Sequence, residues 1–207
     1  MSSASRQAHW EGVYTNKGEN EVSWFQESPA ISLELIAETA ATTASRIIDI
    51  GGGASRLVDS LLSRGFLNVT VLDLSATALA AAQARIGENA YKVRWIAADA
   101  TTWAPADTFD VWHDRAAFHF LTTENEQAAY VQRLKQGLRK GGYAIIGTFA
   151  IDGPETCSGL PVARHTSDTL AAILGADFVL VGTRYHAHAT PWQVMQKFQF
   201  STFRKIA

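Results

Sequence analysis

Apolar residues in this chain fall into short runs that alternate with segments of helical spacing. The runs have the length of buried strands, and between them apolar residues recur every three or four positions, as on one face of a helix. The strand-like runs occupy 47–50, 69–73, 93–97, 109–115 and 143–149. Because strands that alternate with helices pair in parallel, the pattern predicts an α/β fold with a mostly parallel sheet between helix layers.

Capping residues set the expected helix boundaries. A proline lies in the first turn of a predicted helix over 29–41. Ser75 caps the helix that follows the second strand. Thr123 and Glu126 form a capping box for a further helix, which we expect to close at the glycines 141–142. The tail predicts a helix over 167–174 and a closing hairpin of strands 178–185 and 196–203.

The N-terminal segment is rich in aromatic residues and has few strand signals. It contains Trp10, Tyr14, Trp24 and Phe25. Such a segment either pads the outside of the sheet or folds across the mouth of a site as a lid, where an aromatic face would favour a cationic ligand. We therefore divide the chain into an N-terminal aromatic and helical cap, 1–45, and one domain, 46–207, with a substrate-side loop at 150–166.

Composition narrows the class of protein. The 207 residues are 47% hydrophobic, which fits one globular domain, and the net charge of −2 without a basic run gives no sign of a nucleic-acid surface. No apolar segment has the length of a membrane span. The lone Cys157 excludes an internal disulfide and fits a reducing, cytoplasmic location. His186 and His188 have no third ligand in view, so no metal site is predicted.

A glycine turn follows the first strand-like run and opens a helix. Residues 51–53 are all glycine, so a ligand can approach the backbone closely, and the helix start offers unpaired N–H groups. A dinucleotide fingerprint needs a third glycine three residues after the second, but Arg56 stands there. Asp49 lies inside the end of the strand, where its carboxylate needs a partner. A cationic amino group of a ligand would be one. The alternative is an ordinary turn with this carboxylate bonded to backbone.

Two further acids follow the next two strands. Asp73 ends the second strand 20 residues after Gly53, where a carboxylate could bind a ribose diol. Asp99 follows the third strand, where it could accept a hydrogen bond from an adenine amino group. Each could instead cap a helix or a turn. Because the carboxyl ends of parallel strands share one edge, these two acids and Asp49 together predict a nucleotide site more specifically than any one of them.

A polar cluster follows the fourth strand. His113, Asp114 and Arg115 end that strand, and His119 lies a few residues on. We expect the cluster in the crevice at the carboxyl edge of the sheet, where open α/β sheets bind ligands. His113 and Asp114 are the candidate catalytic residues, with His119 as a further candidate. Any one of the four could instead be a structural partner of the others.

Three segments resemble the class I S-adenosylmethionine-dependent methyltransferases. The pattern Asp-x-Gly-x-Gly-x-Ser at 49–55 resembles the family's first motif, with serine where the family often has glycine. The segment 9–26 begins with His-Trp-Glu and ends with Ser-Trp-Phe-Gln, which is similar to the start of a group of small bacterial members. The helix, Arg-Lys-Gly-Gly and strand that end at 149 resemble the family's closing motif.

The resemblance implies a Rossmann-like fold, a cofactor and a set of site residues. The implied fold is a seven-stranded, mostly parallel sheet with an antiparallel last strand and helices on both faces. The implied cofactor is S-adenosylmethionine, and the implied reaction is methyl transfer to a nucleophile. The implied cofactor-binding residues are Asp49, Gly51, Gly53, Asp73, Leu74, Asp99, Ala100 and Trp24. Residues after the fourth strand, with His113, Asp114 and His119 as candidates, would face the substrate.

The acceptor and two rival classes stay open from the sequence. We expect a small molecule or a protein side chain as the methyl acceptor, and no nucleic acid or membrane partner. His113 or Asp114 would orient the acceptor or take its proton. A nicotinamide-dependent oxidoreductase shares the glycine turn and Asp73 but fits Arg56 and Asp99 less well. A non-catalytic protein that binds S-adenosylmethionine is the other alternative.

Overall fold

A seven-stranded sheet forms the centre of the computed structural model, which describes residues 3–207. The first two residues of the predicted cap lie outside this range. The helices are α1 (Ser3–Asn16), α2 (Ala30–Glu38), α3 (Leu57–Ser63), α4 (Ala76–Ile86), α5 (Glu124–Gly137) and α6 (Ser167–Leu174). The strands are β1 (Arg46–Ile50), β2 (Asn68–Asp73), β3 (Val93–Ala97), β4 (Phe109–Arg115), β5 (Leu138–Phe149), β6 (Thr156–Cys157), β7 (Leu160–Pro161), β8 (Phe178–Ala189) and β9 (Met195–Lys205).

The strand order is β3-β2-β1-β4-β5-β9-β8. The first five of these strands are parallel, β9 is antiparallel to β5, and β8 is antiparallel to β9. This arrangement confirms the predicted Rossmann-like sheet and its closing hairpin. The parallel strands all end at one edge of the sheet, so the residues that follow them are brought together there. β6 and β7 form a separate small hairpin.

Two apolar layers cover the sheet, which explains the continuous apolar runs of its strands. In β1, Ile47 packs into the layer that contains α2 and α3, whereas Ile48 and Ile50 pack into the layer under α5 and α6. The predicted cap of Ser75 and the capping box of Thr123 and Glu126 are both formed. No helix within residues 3–207 is long and apolar enough to cross a membrane.

The end of α5 differs from the prediction. The helix stops at Gly137, not at 141–142, and Leu138 is already extended and paired with Phe109. A Cβ on Gly137 would lie 2.8 Å from the side chain of Trp112, so the strand behind the helix end leaves room for glycine alone. Because this contact is distant in sequence, capping rules could not reveal it.

Candidate active site

One cavity lies at the carboxyl edge of the sheet, with about 900 Å³ of empty space including its opening to solvent. Its walls follow the strand order. An acidic half lies over the ends of β3, β2 and β1, and an aromatic half lies over β4, β5 and β9. The acidic half is lined by Gly51, Leu72, Asp73, Leu74, Ala98, Asp99, Ala100 and Thr101. The aromatic half is lined by Trp24, Arg115, Phe120, Phe149, Cys157, Gln196 and Phe198.

The glycine turn brings backbone to the cavity wall. Gly51 has φ of +67°, and a Cβ there would lie 2.6 Å from the side chain of Ala117. Only glycine accommodates both the left-handed conformation and this close approach. The N–H groups of Gly51 and Gly52 donate to the carbonyl of Leu72 at 2.7 and 3.3 Å, which fixes the turn against β2.

Asp73 lies at the end of β2 with its carboxylate in the turn. It is 8% exposed and accepts hydrogen bonds from the N–H groups of Ser75, at 2.8 Å, and Gly53. Burial, together with the negative charges of Asp49 and Glu11, raises the pKa of Asp73 to about 7, although those two hydrogen bonds oppose the shift. A carboxyl group held this way gains from a ligand that donates to it.

Asp99 also lines the cavity, and both its oxygens have partners. One oxygen accepts from the backbone N–H and the hydroxyl of Thr101, at 2.8 and 2.7 Å. The other accepts from the hydroxyl of Ser3 and from Arg6, whose Nη2 lies 3.2 Å away. Asp99 therefore joins the end of β3 to the first helix of the chain.

Helix α1 lies across the cavity. Arg6, Trp10 and Tyr14, spaced four residues apart, share one face of the helix and line the cavity from above. The Trp10 ring packs edge-on against Trp24 and Phe120, at 5.5 and 5.0 Å between centroids. Of the two placements considered for the N-terminal segment, the structure has the one across the mouth.

Glu11 fixes α1 to the start of α4. Its carboxylate accepts from the N–H groups of Ala76 and Thr77, at 2.7 and 3.2 Å, and from the hydroxyl of Ser75 at 3.0 Å. An acid at the N-terminus of a helix pairs with unsatisfied N–H groups and with the positive end of the helix dipole. This contact ties the roof of the cavity to its acidic half.

His113 and Asp49 lie behind the cavity wall. His113 is 2% exposed, and its Nδ1 lies 2.7 Å from Oδ1 of Asp49. The other ring nitrogen, Nε2, lies 2.9 Å from the hydroxyl of Ser32 on α2. Both nitrogens of the imidazole are therefore engaged, and neither His113 nor Asp49 lines the cavity.

Asp114 is fully buried and caps the short turn that follows β4. It accepts from the N–H groups of Ala117 and Phe118 at 2.9 and 3.1 Å, and from the hydroxyl of Tyr130 at 2.6 Å. The indole N–H of Trp112 donates to the same hydroxyl at 2.8 Å. Burial raises the pKa of Asp114 to about 6, although the Tyr130 hydrogen bond opposes the shift. Asp114 also does not line the cavity.

His119 is fully buried beside Phe149. Its Nδ1 accepts from the backbone N–H of Phe149 at 3.4 Å. Burial lowers the pKa of His119 to about 3, so its ring is neutral. The three candidate catalytic side chains thus lie in the protein interior rather than on the cavity surface.

The chain matches a known family over its central part. Residues 47–142, from β1 into β5, match the family model described as a methyltransferase domain. The match covers the glycine turn, Asp73 and Asp99. This match identifies a methyltransferase domain in the central part of the chain. A comparison with curated proteins finds no match to this methyltransferase.

Solved structures of low sequence identity share the fold of this methyltransferase. One, studied in the conversion of a disulfide bond into a thioacetal group during echinomycin biosynthesis, is 19% identical, with a TM-score of 0.77 over 97% of this chain and 92% of that one. The 1,6-didemethyltoxoflavin-N1-methyltransferase of Burkholderia thailandensis is 22% identical, with a TM-score of 0.74 over 100% and 92%. The N-methyltransferase NodS of Bradyrhizobium japonicum is 15% identical, with a TM-score of 0.71 over 94% and 97%. The last two contain S-adenosylhomocysteine.

Sequence reasoning missed part of the wall of the methyltransferase cavity. Phe198 and Gln196 come from β9, which the antiparallel pairing with β5 brings to the carboxyl edge. No local motif marks them. Arg6 could have been found, because its spacing of four from Trp10, repeated in Tyr14, is the signature of one helix face.

The network around Asp114 predicts a stability effect. Tyr130→Phe removes a donor from the buried carboxylate and leaves the Trp112 N–H without its acceptor, so we expect a loss of about 1–3 kcal/mol in the free energy of unfolding. The loss should be larger at pH 8 than at pH 5, because the hydrogen bond favours the charged carboxylate. Urea denaturation at both pH values measures it. Tyr91→Phe, at an 82% exposed position, is the control. Equal stability of the two variants would contradict this account.

Proposed function

We propose that the methyl acceptor is a small molecule that binds in the aromatic half of the cavity, with S-adenosylmethionine in the acidic half. The observation that carries this proposal is the single cavity that joins both halves under α1. A molecule enclosed there would be held against the cofactor by Trp10, Trp24 and Phe120. A protein side chain would have to enter under the same roof.

The acidic half fits the nucleoside of S-adenosylmethionine. Gly51 gives the close backbone approach, and Asp73, with Leu74, would receive the ribose. Asp99 and Ala100 would face the adenine, for which the adenine amino group must replace Ser3 or Arg6 on the carboxylate. Gly53 holds the Asp73 carboxylate through its N–H. In this proposal the entry of the cofactor therefore moves the start of α1.

Trp24 and Asp49 would serve the methionine end of the cofactor in different ways. Trp24 lines the aromatic half of the cavity, and its indole N–H donates to the Tyr14 hydroxyl at 3.3 Å. Its ring would face the sulfonium, which an aromatic face attracts. Asp49 lies behind the glycine turn, where it would add negative charge opposite the cationic amino group.

Alignment is the main contribution of the protein to the reaction. When bound, S-adenosylmethionine supplies a methyl group that its positive sulfur makes electrophilic, and it leaves as S-adenosylhomocysteine. Side chains that hold two reactants in line can lower a barrier by on the order of 7–11 kcal/mol. We assign the aromatic roof and the walls of the cavity to this positioning.

His113, Asp114 and Asp49 act as positioning residues in this proposal. His113 joins Asp49 to α2, and Asp114 fixes the turn that carries Ala117 against Gly51. We assign them this role in place of the expected contact with the acceptor, because neither His113 nor Asp114 lines the cavity. His119 is assigned to packing against Phe149.

The domain organisation follows from the same proposal. Residues 1–45 act as a cap on a single methyltransferase domain, 46–207, and the loop 150–166 brings Cys157 to the acceptor. The Burkholderia thailandensis relative, whose structure holds 1,6-didemethyltoxoflavin, supports a small acceptor. A cytoplasmic location, supported by the single unpaired thiol, belongs to the proposal.

Calorimetric titration of the full chain tests the cofactor assignment. We expect the protein to bind S-adenosylmethionine and not NADH, and Asp73→Ala to weaken binding at least tenfold, about 1.4 kcal/mol. Asp107→Ala, which removes an exposed partner of Arg94, is the control and should bind as the parent does. Unchanged affinity in Asp73→Ala, or preference for NADH, would refute the assignment.

Cofactor affinity should also depend on pH. Burial raises the pKa of Asp73 to about 7, and the ribose would donate to its charged form. The carboxyl is about nine-tenths charged at pH 8 and one-tenth at pH 6, so the Kd for S-adenosylhomocysteine should be about tenfold higher at pH 6. Asp73→Asn should bind weakly at both pH values. A parent Kd that does not change with pH would show that the charge of Asp73 is not used.

A further inference from the structure

Arg115 presents a guanidinium to the aromatic half of the cavity with its hydrogen-bonding capacity only partly used. Nη1 donates to the carbonyl of Trp24 at 3.0 Å, and the group lies over the ring of Phe198, 5.4 Å from its centre. Among residues 3–207, Nη2 has no hydrogen-bond partner, and it is shielded from solvent. A buried donor without a partner costs free energy, so its retention calls for an explanation.

The charge of Arg115 is also not paired directly. Burial lowers the pKa of its guanidinium to about 10, which leaves it charged at neutral pH. Asp49, the acid whose charge acts on this guanidinium, is bonded to His113, and no carboxylate in the described part of the chain lies within ion-pair distance of Arg115. Buried charges are normally paired, so this cation is suited to an anion that enters the cavity.

The side chain of Arg115 lies on the side of β4 that faces β9. Arg115 ends β4, which has β1 and its glycine turn on one side and β5 on the other. The ring beneath the guanidinium, Phe198, belongs to β9, two strands from β4 on the side away from β1. The guanidinium of Arg115 therefore lies over the aromatic half of the cavity.

The rest of the aromatic half agrees with an acceptor that brings its own charge. Its walls are aromatic and can hold a planar ring. No aspartate, glutamate or histidine of the described residues lines this half, so no side chain there is suited to take a proton at neutral pH. The only thiol, Cys157, has its pKa raised to about 11 by burial. An acceptor that enters as an anion needs no base.

We propose that Arg115 binds an anionic oxygen of the methyl acceptor and that this acceptor is a planar aromatic acid. This inference rests on the proposed function, since it places the acceptor beside a bound cofactor. The α-carboxylate of the cofactor's methionine offers the same chemistry from a second source, and the experiment separates the two.

The test compares matched acids and amides on the full chain saturated with S-adenosylhomocysteine. Calorimetry measures benzoate against benzamide and 2-naphthoate against 2-naphthamide. We expect at least one acid to bind tenfold or more tightly than its amide. In Arg115→Met that ratio should fall to within about twofold, and Arg115→Lys, which keeps charge without the planar fork, should retain an intermediate ratio. Arg94→Met, at an exposed ion pair on the far edge of the sheet, should keep the ratio of the parent.

The ratio distinguishes recognition from structure. If Arg115 only anchors Trp24, its loss would weaken acid and amide alike and leave their ratio unchanged, which would overturn the proposal. Equal binding of acid and amide to the parent, or binding of neither, would overturn it too.

The second arm of the test compares the binding of S-adenosylhomocysteine with that of 5′-methylthioadenosine, which lacks the amino acid. If Arg115→Met binds S-adenosylhomocysteine at least tenfold more weakly than the parent does but binds 5′-methylthioadenosine equally well, the guanidinium binds the carboxylate of the cofactor, and the proposal is overturned. Failure of the parent to bind S-adenosylhomocysteine would instead refute the proposed function.

Discussion

Carboxylates at the ends of parallel strands lose their water when the sheet is covered, and each must then be given donors by the protein. The donors found here decide the shape of the carboxyl edge. Asp73 takes N–H groups from the glycine turn and from the start of α4, and Asp99 takes Ser3 and Arg6 from α1. Asp114 takes the N–H groups of the turn after β4. These contacts fix the glycine turn, the start of α4, the start of α1 and the turn after β4 around the cavity.

This constraint divides the edge into a rigid wall and a roof. The wall consists of side chains with all partners inside the domain, such as the His113 and Asp49 pair. The roof, α1, is tied to α4 by Glu11 and to Asp99 by Arg6 and Ser3. In the proposed function the ligand replaces only contacts to Asp99. In the proposed function the same carboxylate holds the roof closed and then receives the nucleoside. Methyl transfer would use both states, because the reactants must enter and must then be kept from water.

The succession of strands along the chain and the acids near the ends of the first three, Asp49, Asp73 and Asp99, could be predicted from the sequence, because apolar runs and residues at strand ends are local signals. The position of His113 and Asp114 behind the cavity wall could not be predicted, because β4 is buried on both faces and shows no alternation of polar and apolar residues. The position of α1 depends on a contact between Arg6 and Asp99, 93 residues apart. Arg115 stands in the cluster that the sequence singled out, but only the position of Phe198 beneath it shows where its charge lies.

A crystal structure of the full chain with S-adenosylhomocysteine is the most direct test of the central claim. We expect the ribose hydroxyls within hydrogen-bond distance of Asp73, the adenine beside Asp99 with Ser3 or Arg6 displaced, and the sulfur turned towards the aromatic half. A nucleoside bound outside this cavity, or bound within it while Asp73 keeps only its contacts to Gly53 and Ser75, would contradict that claim.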